Sequence, residues 1–245
     1  MGRRPRGQGV IDYRGLEKRF VETLGLEHRP VAVAFRNAPP AGVAQFTGSM
    51  PSGCSFWPLA MRGRAFYTVP ADHYNCAIGS HTHNIPLPSE RAQELPQTLS
   101  FMAGLGYVTM DEVADIPRLP RTPGAVVYTP LADTPVDPDV VLFVGRPGRL
   151  MLLQEAALRA GVAARMPFLA RPTCMALPAA LAGGAVASTG CVGNRVYTEL
   201  SDDELYVALP GRELMRVVDE LSTIVHANTV LADYHRQRRG ELARE

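Results

Sequence analysis

Val141-Leu-Phe-Val-Gly-Arg-Pro-Gly-Arg-Leu-Met151 passes from an apolar run, through a Pro-Gly turn, into residues with helical spacing. A short apolar run bounded by Gly and Pro reads as a buried strand, and Leu150–Ala160, stopped by Gly161, reads as a helix. The same order recurs in Leu205-Tyr-Val-Ala-Leu-Pro-Gly-Arg-Glu-Leu-Met215. Two short copies do not establish a repeat. They do place two similar strand-to-helix units in one chain. The fold class is therefore α/β or α+β, a single domain with a mixed β-sheet flanked by helices.

Outward from these units, Ala125–Tyr128, Val140–Val144, Ala185–Ser188 and Glu204–Leu209 read as strands, with Glu213–Leu231 as a long closing helix. Thr173 is a candidate cap for a short helix carrying Cys174. In the first half, Tyr13–Leu24 carries Leu16, Phe20, Val21 and Leu24 at helical spacing, and Pro30–Phe35 and Ala65–Val69 read as strands. Phe56–Met61 reads as a helical turn, and Ser89 as the cap of a helix through Met102 that Pro96 kinks or divides. No linker splits the chain. Residues 1–12 read as a disordered tail, 13–235 as one metal-binding domain, and 236–245 as a charged tail.

With 245 residues and 46% hydrophobic content, the chain buries a sizeable core without disulfide staples. A net charge of +1 argues against general affinity for nucleic acid. Lys18 is the only lysine, so no Walker phosphate loop is present. The N-terminus lacks the apolar core of a secretory signal. Pro178 and Gly183-Gly184 interrupt the apolar stretch Thr173–Asn194, which is no spanning helix. The expectation is a soluble cytoplasmic protein without membrane contact, in a compartment where disulfides do not persist.

Each of the four cysteines sits in a stretch free of Asp, Glu, Lys and Arg. Cys54 lies in Asn37–Met61, Cys76 in His73–Ser89, and Cys174 and Cys191 in Thr173–Asn194. Charged side chains are rarely buried unpaired, so these runs read as segments converging on one dry site. An iron–sulfur cluster on four thiolates is the first candidate. The spacing, C-x21-C and then C-x16-C, contains no CxxC and would draw ligands from four separate loops. Four packed structural cysteines are the plainer alternative.

Pro30-Val-Ala-Val, Gly53-Cys54 with Phe56-Trp57, His73-Tyr-Asn-Cys76-Ala-Ile-Gly79, Tyr128-Thr-Pro-Leu131, Asp139-Val-Val-Leu142, Arg171-Pro-Thr-Cys174 and Gly190-Cys-Val-Gly-Asn-Arg195 form a combined pattern. In it the chain resembles the uncharacterised family called domain of unknown function 169, from Leu24 to about His235. The resemblance implies that all four thiols belong to the family's pattern and that an iron–sulfur centre, 4Fe–4S being favoured, is a reasonable suspicion. It implies no settled activity.

Zinc is the rival metal. His73, His81 and His83 cluster around Cys76, and His81 and His83 would share one face if that segment were extended. Gly53, Gly79, Gly190 and Gly193 are placed to let backbone N–H groups approach sulfur. Arg171 and Arg195 flank the second pair of thiols and are candidates for holding a small anionic molecule, with His73, Asn75, His81 and Asn194 around the same centre. Three functions follow. The first is an iron–sulfur protein with a redox or small-molecule-processing role, an oxidoreductase or lyase with an electron-transfer partner. The second is a zinc-binding or metal-free accessory protein. The third is a thiol enzyme using Cys54 or Cys191 with a histidine.

Overall fold

The computed structural model describes residues 11–162, 165–169 and 173–242. In chain order the elements begin with α1 (Tyr13–Leu24), β1 (Val31–Arg36), β2 (Ala44–Gln45), α2 (Phe56–Met61), β3 (Phe66–Thr68) and α3 (Ala77–Thr82). Next come α4 (Glu94–Gly104), α5 (Met110–Ala114), β4 (Ala125–Pro130), β5 (Val140–Gly145), α6 (Pro147–Arg159) and β6 (Phe168–Leu169). The chain closes with α7 (Ala176–Gly183), β7 (Val186–Ser188), α8 (Val192–Thr198), β8 (Leu205–Pro210) and α9 (Leu214–Leu242).

The eight strands among the described residues form one mixed sheet in the order β2-β3-β4-β1-β5-β8-β7-β6. Strands β4, β5 and β8 are buried along their whole length, as strands covered on both faces must be. On one face, Ala32, Val141, Phe143 and Val207 pack against α1, α6 and α9. On the other, Val33, Tyr128, Leu142 and Tyr206 pack against α2 and α7, together with Cys54 and Cys174. The α1 helix shows why such layers form. Asp12 caps it by accepting the Gly15 N–H, Gly25 closes it at φ 62°, and Leu16, Phe20 and Leu24 make its buried stripe.

The sheet is built from two halves of one topology. Val31 at the start of β1 pairs with Pro130 at the end of β4, and Val140 at the start of β5 pairs with Pro210 at the end of β8. Phe66 pairs with Tyr128, and Val186 with Ala208, each two residues before the terminal proline. Each half ends in an edge strand parallel to its neighbour, β2 on β3 and β6 on β7. The Leu131 N–H donates to the Pro30 carbonyl at 2.9 Å, and the Gly211 N–H to the Asp139 carbonyl at 2.8 Å. The halves join where Val31–Val33 pairs with Val140–Leu142.

The duplicated parts carry a shared sequence. Cys54-Ser-Phe-Trp57-Pro58-Leu-Ala60 corresponds to Cys174-Met-Ala-Leu177-Pro178-Ala-Ala180, and in both the cysteine lies in a 3-10 turn that runs into a helix. The two strand-to-helix units that share a Pro-Gly-Arg turn are β5 with α6 and β8 with α9. They are neighbours within the second half, not the equivalent parts.

Several expected boundaries shift. Pro96 lies in the first turn of α4, where a missing N–H costs nothing, so the helix starts at Glu94 after a separate 3-10 turn at Ser89–Arg91. The α9 helix runs to Leu242 instead of stopping at Leu231, so it takes in residues 236–242. Pairs such as Gln237–Glu241 span its exposed turns. Residues 1–10 and 243–245 lie outside the described residues.

Candidate functional site

The four cysteines line one cavity of about 590 Å3 on the α2/α7 side of the sheet. Each half supplies one inner and one outer thiol. The inner ones, Cys54 and Cys174, sit in the 3-10 turns Gly53–Ser55 and Thr173–Met175 and are buried. The outer ones, Cys76 and Cys191, are the N-caps of α3 and α8 and are half-buried.

The outer sulfurs are held the same way. Cys76 Sγ accepts the Gly79 N–H and Cys191 Sγ accepts the Asn194 N–H, both at 3.3 Å. A cysteine at an N-cap thus does what Ser or Asp ordinarily does there. A hydroxyl beside each inner cysteine reaches the outer one of the same half. Ser52 Oγ lies 3.8 Å from Cys76 Sγ and accepts the Cys54 N–H, while Thr173 Oγ1 accepts the Cys191 N–H at 2.6 Å. Ser52 and Thr173 are absent from the sequence-derived site, although a hydroxyl residue just before each inner cysteine was visible in the chain.

Burial pushes the Cys54 thiol up to about 12, with Cys76 and Cys191 adding repulsion. Burial and then Cys54, Cys76 and Cys191 hold Cys174 well above the ordinary thiol value. The other thiols of the site thus bear electrostatically on the two inner ones. Asn194 is 1% exposed and lines the cavity; neither Oδ1 nor Nδ2 makes a hydrogen bond of ordinary geometry, but the amide lies close enough to Cys54 and Tyr206 to favour the ionised form of each. Gly190, at φ 78°, makes room for this amide, since a Cβ there would sit 2.6 Å from Asn194 Oδ1. Gly79 does the same for Cys76, where a Cβ would stand 2.9 Å from the sulfur.

The remaining expected residues lie around the site in other roles. His73 is buried, its Nε2 2.8 Å from Thr68 Oγ1 and its Nδ1 unpartnered. His83 is buried with both ring nitrogens unpartnered, 5.7 Å from His73 between ring centres. Burial lowers both, His73 to about 3 with help from His83, and His83 to about 4. His81 is on α3, a helix and not an extended segment, so it does not share a face with His83 in the manner expected. Its carbonyl accepts from Arg118.

Asn75 donates to Ser49 Oγ and the Met50 carbonyl and accepts from Arg91, which ties down the loop before Cys54. Arg195 donates to the carbonyls of Thr189, Ser201 and Glu204 and lies 3.7 Å from Asp202, so its guanidinium braces a loop and does not line the cavity. Arg171 lies outside the described residues. Among the described residues, no three His, Cys, Asp or Glu side chains are grouped to hold a single metal ion, and no helix is long and apolar enough to cross a membrane.

No curated protein and no solved structure matches this chain. The family model described as "Uncharacterised ArCR" matches residues 19–220, which span both halves of the sheet and all four cysteines. The chain belongs to the domain of unknown function 169 family.

Proposed function

We propose that this is an iron–sulfur protein in which Cys54, Cys76, Cys174 and Cys191 bind one four-iron cluster for a redox or small-molecule-processing role. The observation that carries this reading is the convergence of four thiols, from four separate segments, on one cavity. Each iron of such a cluster takes one thiolate, so the donor set needs four sulfurs around one space. Buried sulfurs that raise one another's proton affinity are costly as thiolates. Cationic iron offsets that cost.

When bound, the group supplies one-electron chemistry. The protein's own parts do the rest. The Gly79 and Asn194 N–H groups fix the outer sulfurs and stabilise negative charge on them. Phe56, Trp57 and Leu177, all buried, shield the inner sulfurs from water. An electron partner reaches the site from the side where Cys76 and Cys191 are half exposed. The four free cysteines suit a reducing, cytoplasmic setting. Cys54 is a poor nucleophile with a thiol pushed up to about 12, which disfavours the thiol-enzyme reading at that residue.

Anaerobically purified protein is expected to be brown, with iron and acid-labile sulfide in stoichiometric amounts, and each single Cys→Ser variant is expected to lose iron. Colourless protein carrying stoichiometric zinc would transfer the site to zinc. Two cysteines neutral for metal retention would end the single-centre reading.

A further inference from the structure

We infer that the cavity above the four thiols binds an uncharged, largely apolar small molecule whose carbonyl- or amide-like head is held by the Asn194 side chain. This goes beyond the cluster reading and stands on the cavity walls and Asn194; a cluster on the four thiols would take up part of the same space. At about 590 Å3 the space falls within the range of roughly 300–1,000 Å3 typical of small-molecule pockets.

Its floor is duplicated, but its wall is not. Between α3 and β4 the first half inserts α4 and α5, where the second half has only the short connection from α8 to β8. From this insertion Leu99, Met102 and Ile116 face the cavity, opposite Leu169, Met175 and Tyr197, and Glu112 and Asp115 of the same insertion line it too. Such walls penalise an anion, which would lose its hydration and meet carboxylates of its own sign.

The polar contact is supplied at the floor. Asn194 offers one acceptor and two donors, none in a hydrogen bond of ordinary geometry although Cys54 and Tyr206 are near, from a side chain that is 1% exposed. A buried amide left unsatisfied carries a desolvation cost that a ligand's neutral carbonyl or amide removes. Arg195, the residue expected to hold an anion, is committed to backbone carbonyls.

Equilibrium dialysis against Nile red, an uncharged aromatic molecule with one ring carbonyl, tests this directly. The anionic 8-anilinonaphthalene-1-sulfonate serves as comparator, and iron is quantified on the same samples. Nile red is expected to bind at one saturable site, and the sulfonate about tenfold or more weakly. Met102→Trp, which fills the cavity from α4, is expected to weaken Nile red about tenfold. Asn194→Leu is expected to weaken it about three- to tenfold through the lost hydrogen bond. Phe101→Ser, on the outer face of α4 where Phe101 is 68% exposed, is expected to leave binding unchanged.

Equal affinity for both probes, or binding indifferent to Met102→Trp, overturns the inference. So does binding lost in Phe101→Ser. If Asn194→Leu does not fold, the Met102→Trp and Phe101→Ser pair decides. Iron content reports separately on the cluster, so a colourless protein that still binds Nile red sinks only the cluster reading.

Discussion

The two halves of the sheet reach the same place by the same route and then diverge. β1–β4 delivers Cys54 and Cys76, β5–β8 delivers Cys174 and Cys191, and in each half an inner thiol in a 3-10 turn stands beside an outer thiol at a helix N-cap. What differs lies outside that frame. The first half adds α4, α5 and the buried His73–His83 pair, and the second adds α6, Asn194 and the Arg195 brace. The common parts build the thiol floor, and the private parts decide what else meets it.

The largest expected effect tests whether the halves are equivalent where they share sequence. Trp57 and Leu177 occupy matching positions three residues after the inner cysteines, and both are at most 1% exposed. Trp57→Ala is expected to cost about 4 kcal/mol and Leu177→Ala about 3 kcal/mol, read from urea midpoints. A neutral Leu177→Ala beside an unfolded Trp57→Ala would break the equivalence.

A smaller effect belongs to the first half alone, because no histidine lies between Val140 and Pro210. His73 and His83 have folded-state values of about 3 and about 4 against an ordinary 6.5. The unfolded chain binds protons that the folded one refuses. Stability is therefore intact above 6.5 and falls as pH drops toward 4. At about pH 5 each histidine is expected to cost about 2 kcal/mol. His83→Phe should flatten the decline by its own share, measured as the difference between variant and parent denaturation profiles. Identical slopes would show that His83 takes up its proton in the folded state.

The smallest effect belongs to the second half. Arg195→Lys keeps the charge but loses the fork that serves three carbonyls, and is expected to cost about 1 kcal/mol with iron content unchanged. Lost iron would return Arg195 to the site itself.

The legible parts of the fold were those with local causes. Asp12 and Gly25 bracket α1, and Pro210-Gly211 and Pro147-Gly148 punctuate strand ends, so those elements stand close to where the chain predicts them. The α5 helix was missed although its Thr109–Glu112 capping box is a local signal, because it is five residues long and buries no residue fully, so no apolar stripe marks it. Strands β2 and β6 are two residues each and exist only through their parallel partners. Convergence of the thiols could be read from their charge-free surroundings. The fate of Arg195 could not, since its acceptors are carbonyls whose positions are set by the turn at Ser201–Glu204.

The split between inner and outer thiols also makes a timer. An alkylating reagent needs a thiolate and a path to it. In metal-free protein Cys76 and Cys191, half exposed, offer a path in the closed state. Cys54 and Cys174 touch the same cavity but are each 4% exposed, and burial holds their protons on, that of Cys54 up to about 12. The inner pair reacts mainly during excursions that swing the 3-10 turns away from the sheet and into water, where the thiolate forms. The slow phase of label uptake then counts how often the floor opens, one half at a time.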